Sequence, residues 1–132
     1  MATLPQSVGF QTPIEYVSEP SLTWIINRDT MTVQSMDEGL EAVRQAVDII
    51  LNTERFFWQI YSSNMGAELT GLIGETDDYI ESELPRRVTE ALLIDDRIID
   101  VRDFAHTQNY DSMLWTFTVE TVFGSYQGGI NL

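Results

Sequence analysis

The fold turns on Met113-Leu-Trp-Thr-Phe-Thr-Val-Glu-Thr-Val-Phe123. Here Leu114, Thr116, Thr118 and Glu120 alternate with Trp115, Phe117, Val119 and Thr121, the period of two that sets one face of a strand against a core. Its β-branched and aromatic residues suit a pleated, half-buried surface. Upstream, residues 97–104 read as a second strand, and residues 105–112 as the polar turn between the two. Downstream, residues 124–132 hold three glycines and read as a flexible tail.

The segments before this pair decide the class. Leu40, Val43, Val47, Ile50 and Leu51 fall at helical spacing, with Glu41, Arg44, Gln45 and Asp48 elsewhere on the wheel. Ser35-Met-Asp-Glu38 ahead of them has the spacing of a capping box, so the helix is expected to begin there. Thr76-Asp77-Asp78 is another helix start, running toward Ile94, and Pro85 falls inside that span. Either one helix is kinked there, or a short helix stops and a second begins near Glu83 with Pro85 in its first turn. The second option costs less, because an interior proline removes a helical hydrogen bond. Leu84, Val88, Ala91 and Leu92 then form one apolar face. Between the helices, residues 53–63 hold Phe56, Phe57, Trp58, Ile60 and Tyr61 and are expected to form a buried strand ended by Gly66.

Toward the N-terminus, residues 22–27 and 31–33 make a first hairpin around Arg28-Asp29-Thr30. Residues 1–20 contain Pro5, Pro13 and Pro20 and read as an extended arm. Phe10, Ile14, Tyr16 and Val17 are too many apolar residues for a pure linker, and lie either along the domain's own surface or against a neighbour. Helices that precede the long strands, without alternating with them, indicate an α+β fold. The expectation is a small single domain, residues 21–124, with a mixed or antiparallel sheet on two or three helices. An N-terminal arm (1–20) and a flexible C-terminal tail (125–132) flank it.

Composition excludes several functions. The 132 residues suffice for one core. Cysteine is absent, which removes disulfides, thiolate metal sites and thiol nucleophiles. Twenty-one acidic residues face seven basic ones, all arginine, for a formal charge of −14. Nucleic-acid backbones and anionic membranes attract the opposite charge. The N-terminus has no basic region followed by an apolar one, so synthesis in the cytoplasm is expected.

Catalytic patterns are sparse. His106 is the one histidine, placed in an exposed polar turn, and no G-x-S-x-G, phosphate-binding or calcium-loop motif occurs. No metal or cofactor is expected. A carboxylate pair drawn from Glu54, Asp95 and Asp96 could serve a cell-wall hydrolase, but 21 acids bring such pairs together by chance. An acidic adaptor or nucleic-acid mimic is a third reading, suggested by charge alone. Asp95-Asp96-Arg97 has a structural reading: it closes a helix and opens a strand, and the arginine can hold a carboxylate in a bidentate fork.

Several segments in order resemble a known family. They are Gly39-Leu-Glu-Ala-Val-Arg-Gln-Ala-Val-Asp-Ile-Ile-Leu-Asn-Thr-Glu-Arg55, residues 57–66 and 68–74, Ala91-Leu-Leu-Ile-Asp-Asp-Arg-Ile98, and Phe117-Thr-Val-Glu-Thr-Val-Phe-Gly124. Over residues 22–124 the chain resembles the XkdS-like proteins of prophage contractile tails. These are relatives of the small baseplate wedge protein, or sheath initiator, of T-even phages and tailocins. The resemblance implies a non-enzymatic baseplate part, present in several copies, with the sheath protein, other wedge proteins and hub or tube proteins as neighbours. It implies that a sheet is offered to the first sheath subunits. The family pattern has a Glu-Pro-Arg triplet before the late strand, associated with contact to the wedge core. This chain has Asp95-Asp96-Arg97 there, so the acid and arginine match while the proline and its rigid turn do not. Asp95, Asp96 and Arg97, with Val119, Thr121 and Phe123 on the last strand, are the expected partner-binding residues.

Overall fold

Met113, Trp115, Phe117, Val119 and Thr121, all from one strand, are buried on one face of a three-stranded sheet, as their alternation requires. The computed structural model describes residues 22–132, and the expected N-terminal arm lies outside them. The elements are β1 (Thr23–Asn27), β2 (Thr32–Asp37), α1 (Leu40–Leu51), α2 (Asp77–Leu92), β3 (Ile98–Gln108), β4 (Met113–Thr121) and β5 (Gly124–Asn131), with a single 3-10 turn at Thr70–Leu72. Strands β1 and β2 form one antiparallel sheet. Strands β3, β4 and β5 form a second in that order, with β4 central. The α+β expectation holds. Val43 and Val47 of α1 and Leu84, Val88 and Leu92 of α2 close the core over β4.

The expected flexible tail is instead β5. It pairs with β4 over eight residue pairs, from Thr121↔Gly124 to Leu114↔Asn131, with no bulge. Tyr126, Ile130 and Leu132 add their side chains to the core. Glycine content suggested mobility, but Gly128 serves packing: a Cβ there would lie 2.8 Å from the Phe117 ring, which sits directly across the ladder. The aromatic covers the bare backbone opposite it.

Helix α1 begins four residues later than the capping box implied. Ser35 is drawn into β2, opposite Ile25, and Gly39 is the residue at the helix start. The Asp37 Oδ1 atom accepts from the backbone N–H groups of Glu38 and Gly39 (2.7 and 3.1 Å), fixing the turn from strand to helix. Strand pairing outweighed the local cap.

Helix α2 is continuous, with Pro85 inside it. The division near Glu83 does not occur. Five buried residues, Ile80, Leu84, Val88, Ala91 and Leu92, share one stripe across the proline, and their burial holds the helix together through one missing hydrogen bond.

Residues 53–63 are not a strand. Phe56 adopts φ +66°, and the chain turns repeatedly through Phe57 N–H to Glu54 C=O, Tyr61 N–H to Trp58 C=O and Met65 N–H to Ser62 C=O. A high β-propensity segment needs a neighbouring edge, and no strand lies beside it among the described residues. Its one ladder contact is a parallel bridge between Glu54 and Ala67.

The first hairpin is present, and β2 runs on to Asp37. A bulge lies between Ile25 and Ile26: Trp24 faces Met36 and Ile26 faces Val33. Such an insertion lets Val33 and Met36, three apart, share a face. The side-chain amide of Gln45 donates to Trp24 C=O (2.9 Å) and accepts from Ile26 N–H (3.0 Å), seating β1 on α1.

Candidate docking site

Asp95-Asp96-Arg97 forms the corner between α2 and β3. Asp95 Oδ1 accepts from the Arg97 backbone N–H (3.0 Å) and from Arg97 Nε (2.9 Å), while Oδ2 accepts from Arg97 Nη2 (2.7 Å). Burial pushes the Asp95 carboxyl up. The guanidinium fork, the backbone hydrogen bond and the arginine's charge together outweigh that and hold it below its ordinary value. The three-point grip constrains the corner by side-chain bonding.

The same corner touches the turn between β4 and β5. Arg97 C=O accepts from Val122 N–H (3.0 Å), and Ile98 pairs with Thr121. Thr121 Oγ1 donates to Gly124 C=O (2.7 Å) and accepts from Phe123 N–H (3.1 Å), bracing the turn. The fold therefore brings Asp95, Asp96, Arg97, Thr121 and Phe123 to one end of the sheet. Val119 lies further along β4, opposite Val101 and Tyr126.

Val119 and Thr121 require a correction as contact residues. Both are buried on the central strand, at 0% and 4% exposure, so neither can form a sheet edge. Their alternation marks the core face. Phe123, in the turn, is 46% exposed and sits beside exposed Val122.

The two edges of the three-stranded sheet belong to β3 and β5. Strand β3 is interrupted by two bulges, has Asp103 at φ +57°, and carries Asp100, Arg102 and Asp103. Bulges and charges of this kind discourage strand addition. Strand β5 has neither bulge nor charge. Met113 and Leu132 exchange both backbone hydrogen bonds (3.0 Å each), which sets the ladder's parity. By antiparallel alternation, Tyr126, Gly128 and Ile130 direct their backbone groups to β4, while Ser125, Gln127, Gly129 and Asn131 direct theirs outward. The three-glycine composition concealed this edge; the alternation of Tyr126, Gly128 and Ile130 with polar or small neighbours was its signal.

Residues weighed for catalysis have other positions. Glu54 Oε2 accepts from the Thr70 hydroxyl (2.7 Å). Asp95 is engaged by Arg97 in its ionised form, the opposite of an acid held protonated. His106 is on β3, not in a turn: its ring lies 4.7 Å from that of Trp115, and Nε2 is 3.1 Å from Glu81 Oε1. Among the described residues no histidine or carboxylate cluster is arranged to hold a metal, and no helix is long and apolar enough to cross a membrane.

The chain is a small α+β domain with a locked corner, an exposed apolar turn and a smooth, uncharged strand edge. The sequence model of the family described as contractile injection system sheath initiator matches residues 21–124, and the chain belongs to that family. It is similar to the Phage-like element PBSX protein XkdS of Bacillus subtilis (strain 168), 40% identical over 115 residues that cover 84% of this chain and 82% of that protein. The chain is thus a structural component of a contractile tail, with a sheath-initiator role, and not an enzyme.

Proposed function

We propose that the chain joins the wedge ring of the baseplate in several copies and offers the first sheath subunits the outer edge of β5. The observation that carries this reading is the unbulged, uncharged ladder between β4 and β5, with Ser125, Gln127, Gly129 and Asn131 facing away from it. An extended arm of a sheath subunit would add as a fourth strand, drawing affinity from backbone hydrogen bonds. The wedge contact falls at the other feature of the same domain, the Asp95–Arg97 corner with Asp96 and Phe123 beside it. Hub or tube proteins are further neighbours. Synthesis in the bacterial cytoplasm precedes assembly, and the charge of −14 keeps free copies apart until then.

The two contacts separate experimentally. Phe123→Asp replaces an exposed turn side chain, so the purified variant is expected to fold normally yet be depleted from assembled baseplates. Recovery of this variant in baseplates at the wild-type level would contradict the wedge assignment. Tails assembled without the chain are expected to carry tube but no sheath. Normal sheath on such tails would contradict the initiation role.

A further inference from the structure

Residues 56–61 present Phe56, Phe57, Trp58, Ile60 and Tyr61 to solvent at 44–85% exposure, five large apolar side chains in six positions. The loop is held in that form. Arg55 N–H donates to Ala67 C=O and Ala67 N–H to Thr53 C=O, while Arg55 Nε donates to Ser63 C=O (2.7 Å). Arg55 Nη1 also meets Glu90 Oε1 on α2 (3.1 Å), and its guanidinium lies over the Phe56 ring. Gly66 closes the base at φ +100°, where a Cβ would lie 2.6 Å from Thr53 C=O. At the foot of the loop is a pocket of about 220 Å³, lined by Ile50, Met65, Ala91 and Ile94 with Ser62, Asn64 and Asp95. Rigid aromatic side chains beside an apolar pocket are what central interface contacts are made of.

Charge selects the occupant. All seven arginines of the chain are ion-paired with its own carboxylates, so its arginine side chains leave no unpaired positive charge to offer. The net charge of −14 opposes both a second copy and an anionic lipid surface. We infer that the aromatic loop and its pocket are a docking surface for a protein segment whose apolar side chains are flanked by lysine or arginine. An apolar side chain of that segment fills the pocket, and its basic flanks complement the chain's net charge of −14. The inference rests on the reading of the chain as an assembled tail component and adds a contact distinct from the β5 edge.

Site-specific photocross-linking in assembled tails tests it. A photoreactive phenylalanine is placed in the full chain at Trp58, at Ile60, at fully exposed Tyr110 as a reference, and at Gln127 on the proposed sheath edge. Positions 58 and 60 are expected to cross-link well above 110, to one tail protein, at a peptide with basic residues beside apolar ones. The double variant W58S/I60S is expected to lower copies per tail roughly tenfold, the effect of losing central aromatic contacts. Cross-links from 58 and 60 to another copy, to lipid or to an acidic segment overturn the inference, as does a yield no higher than at 110. If 127 links to sheath while 58 and 60 link to nothing, the edge reading stands and the aromatic docking surface falls. If 58 and 60 link as expected and 127 does not, the reverse holds.

Discussion

Asp95 binds Arg97 at three points, through its backbone N–H and both ends of a guanidinium fork, across the corner that joins α2 to β3. A carboxylate two residues ahead of its partner thereby fixes both the direction of the chain and the rotamer of the arginine. The corner's carbonyl in turn supports the β4–β5 turn at Val122. Position and strength of the lock lead to two expectations.

Arg97→Ala leaves the part-buried Asp95 carboxylate without its fork and is expected to destabilise the domain by about 1–3 kcal/mol, read from denaturant midpoints. Asp95→Asn keeps an oxygen for the Arg97 N–H and is expected to lose less.

The same pair predicts an acid limb. The folded-state pKa of Asp95 lies below the ordinary 3.8, so its stabilisation is present above that value and fades as pH falls through the lowered one. Thermal midpoints measured from pH 6 downward are expected to decline less for Asp95→Asn than for the parent across that window. Parallel declines would remove the lock from the account.

Gly128→Ala places a Cβ against the Phe117 ring and is expected to cost about 1–3 kcal/mol, the usual range for overpacking. Gly124→Ala, where nothing lies within 4 Å but φ is +130°, strains the backbone without a clash. Urea titrations of the two separate packing from conformational strain.

Removal of residues 125–132 is expected to abolish cooperative unfolding, since it strips β4 of a strand and the core of Tyr126, Ile130 and Leu132. A truncated chain with a sharp native-like transition would restore the flexible-tail expectation.

The elements that were legible in sequence are those whose pattern and burial agree. Trp115, Phe117 and Val119 mark β4 by alternation, and Val43 and Val47 mark α1 by helical spacing. Where tertiary context outweighed local signals, the sequence misled. Ser35 has the spacing of a cap but serves a strand; Pro85 suggests a break, but the apolar stripe from Ile80 to Leu92 continues through it. Phe56 to Tyr61 have the composition of a buried strand, yet no free edge lies beside them and they face solvent. For the site, the Asp95–Arg97 pairing was visible as a charge spacing. The open edge was not, because glycines at 124, 128 and 129 look alike whether they loosen a tail or flatten a strand beneath an aromatic ring.

The central claim is that the backbone of β5 receives the first sheath arm, and Gln127→Pro tests it most directly. Gln127 points its N–H away from β4, so proline removes an outward donor and leaves the β4–β5 ladder intact, as edge strands tolerate. Gln127→Ala changes the side chain alone. The measurement is the ratio of sheath to tube protein in purified tails that have incorporated each variant. The account predicts a near-normal ratio for Gln127→Ala and a fall of roughly tenfold or more for Gln127→Pro, as expected for a lost backbone hydrogen bond and a blocked edge. A folded, incorporated Gln127→Pro chain supporting a full sheath would contradict it.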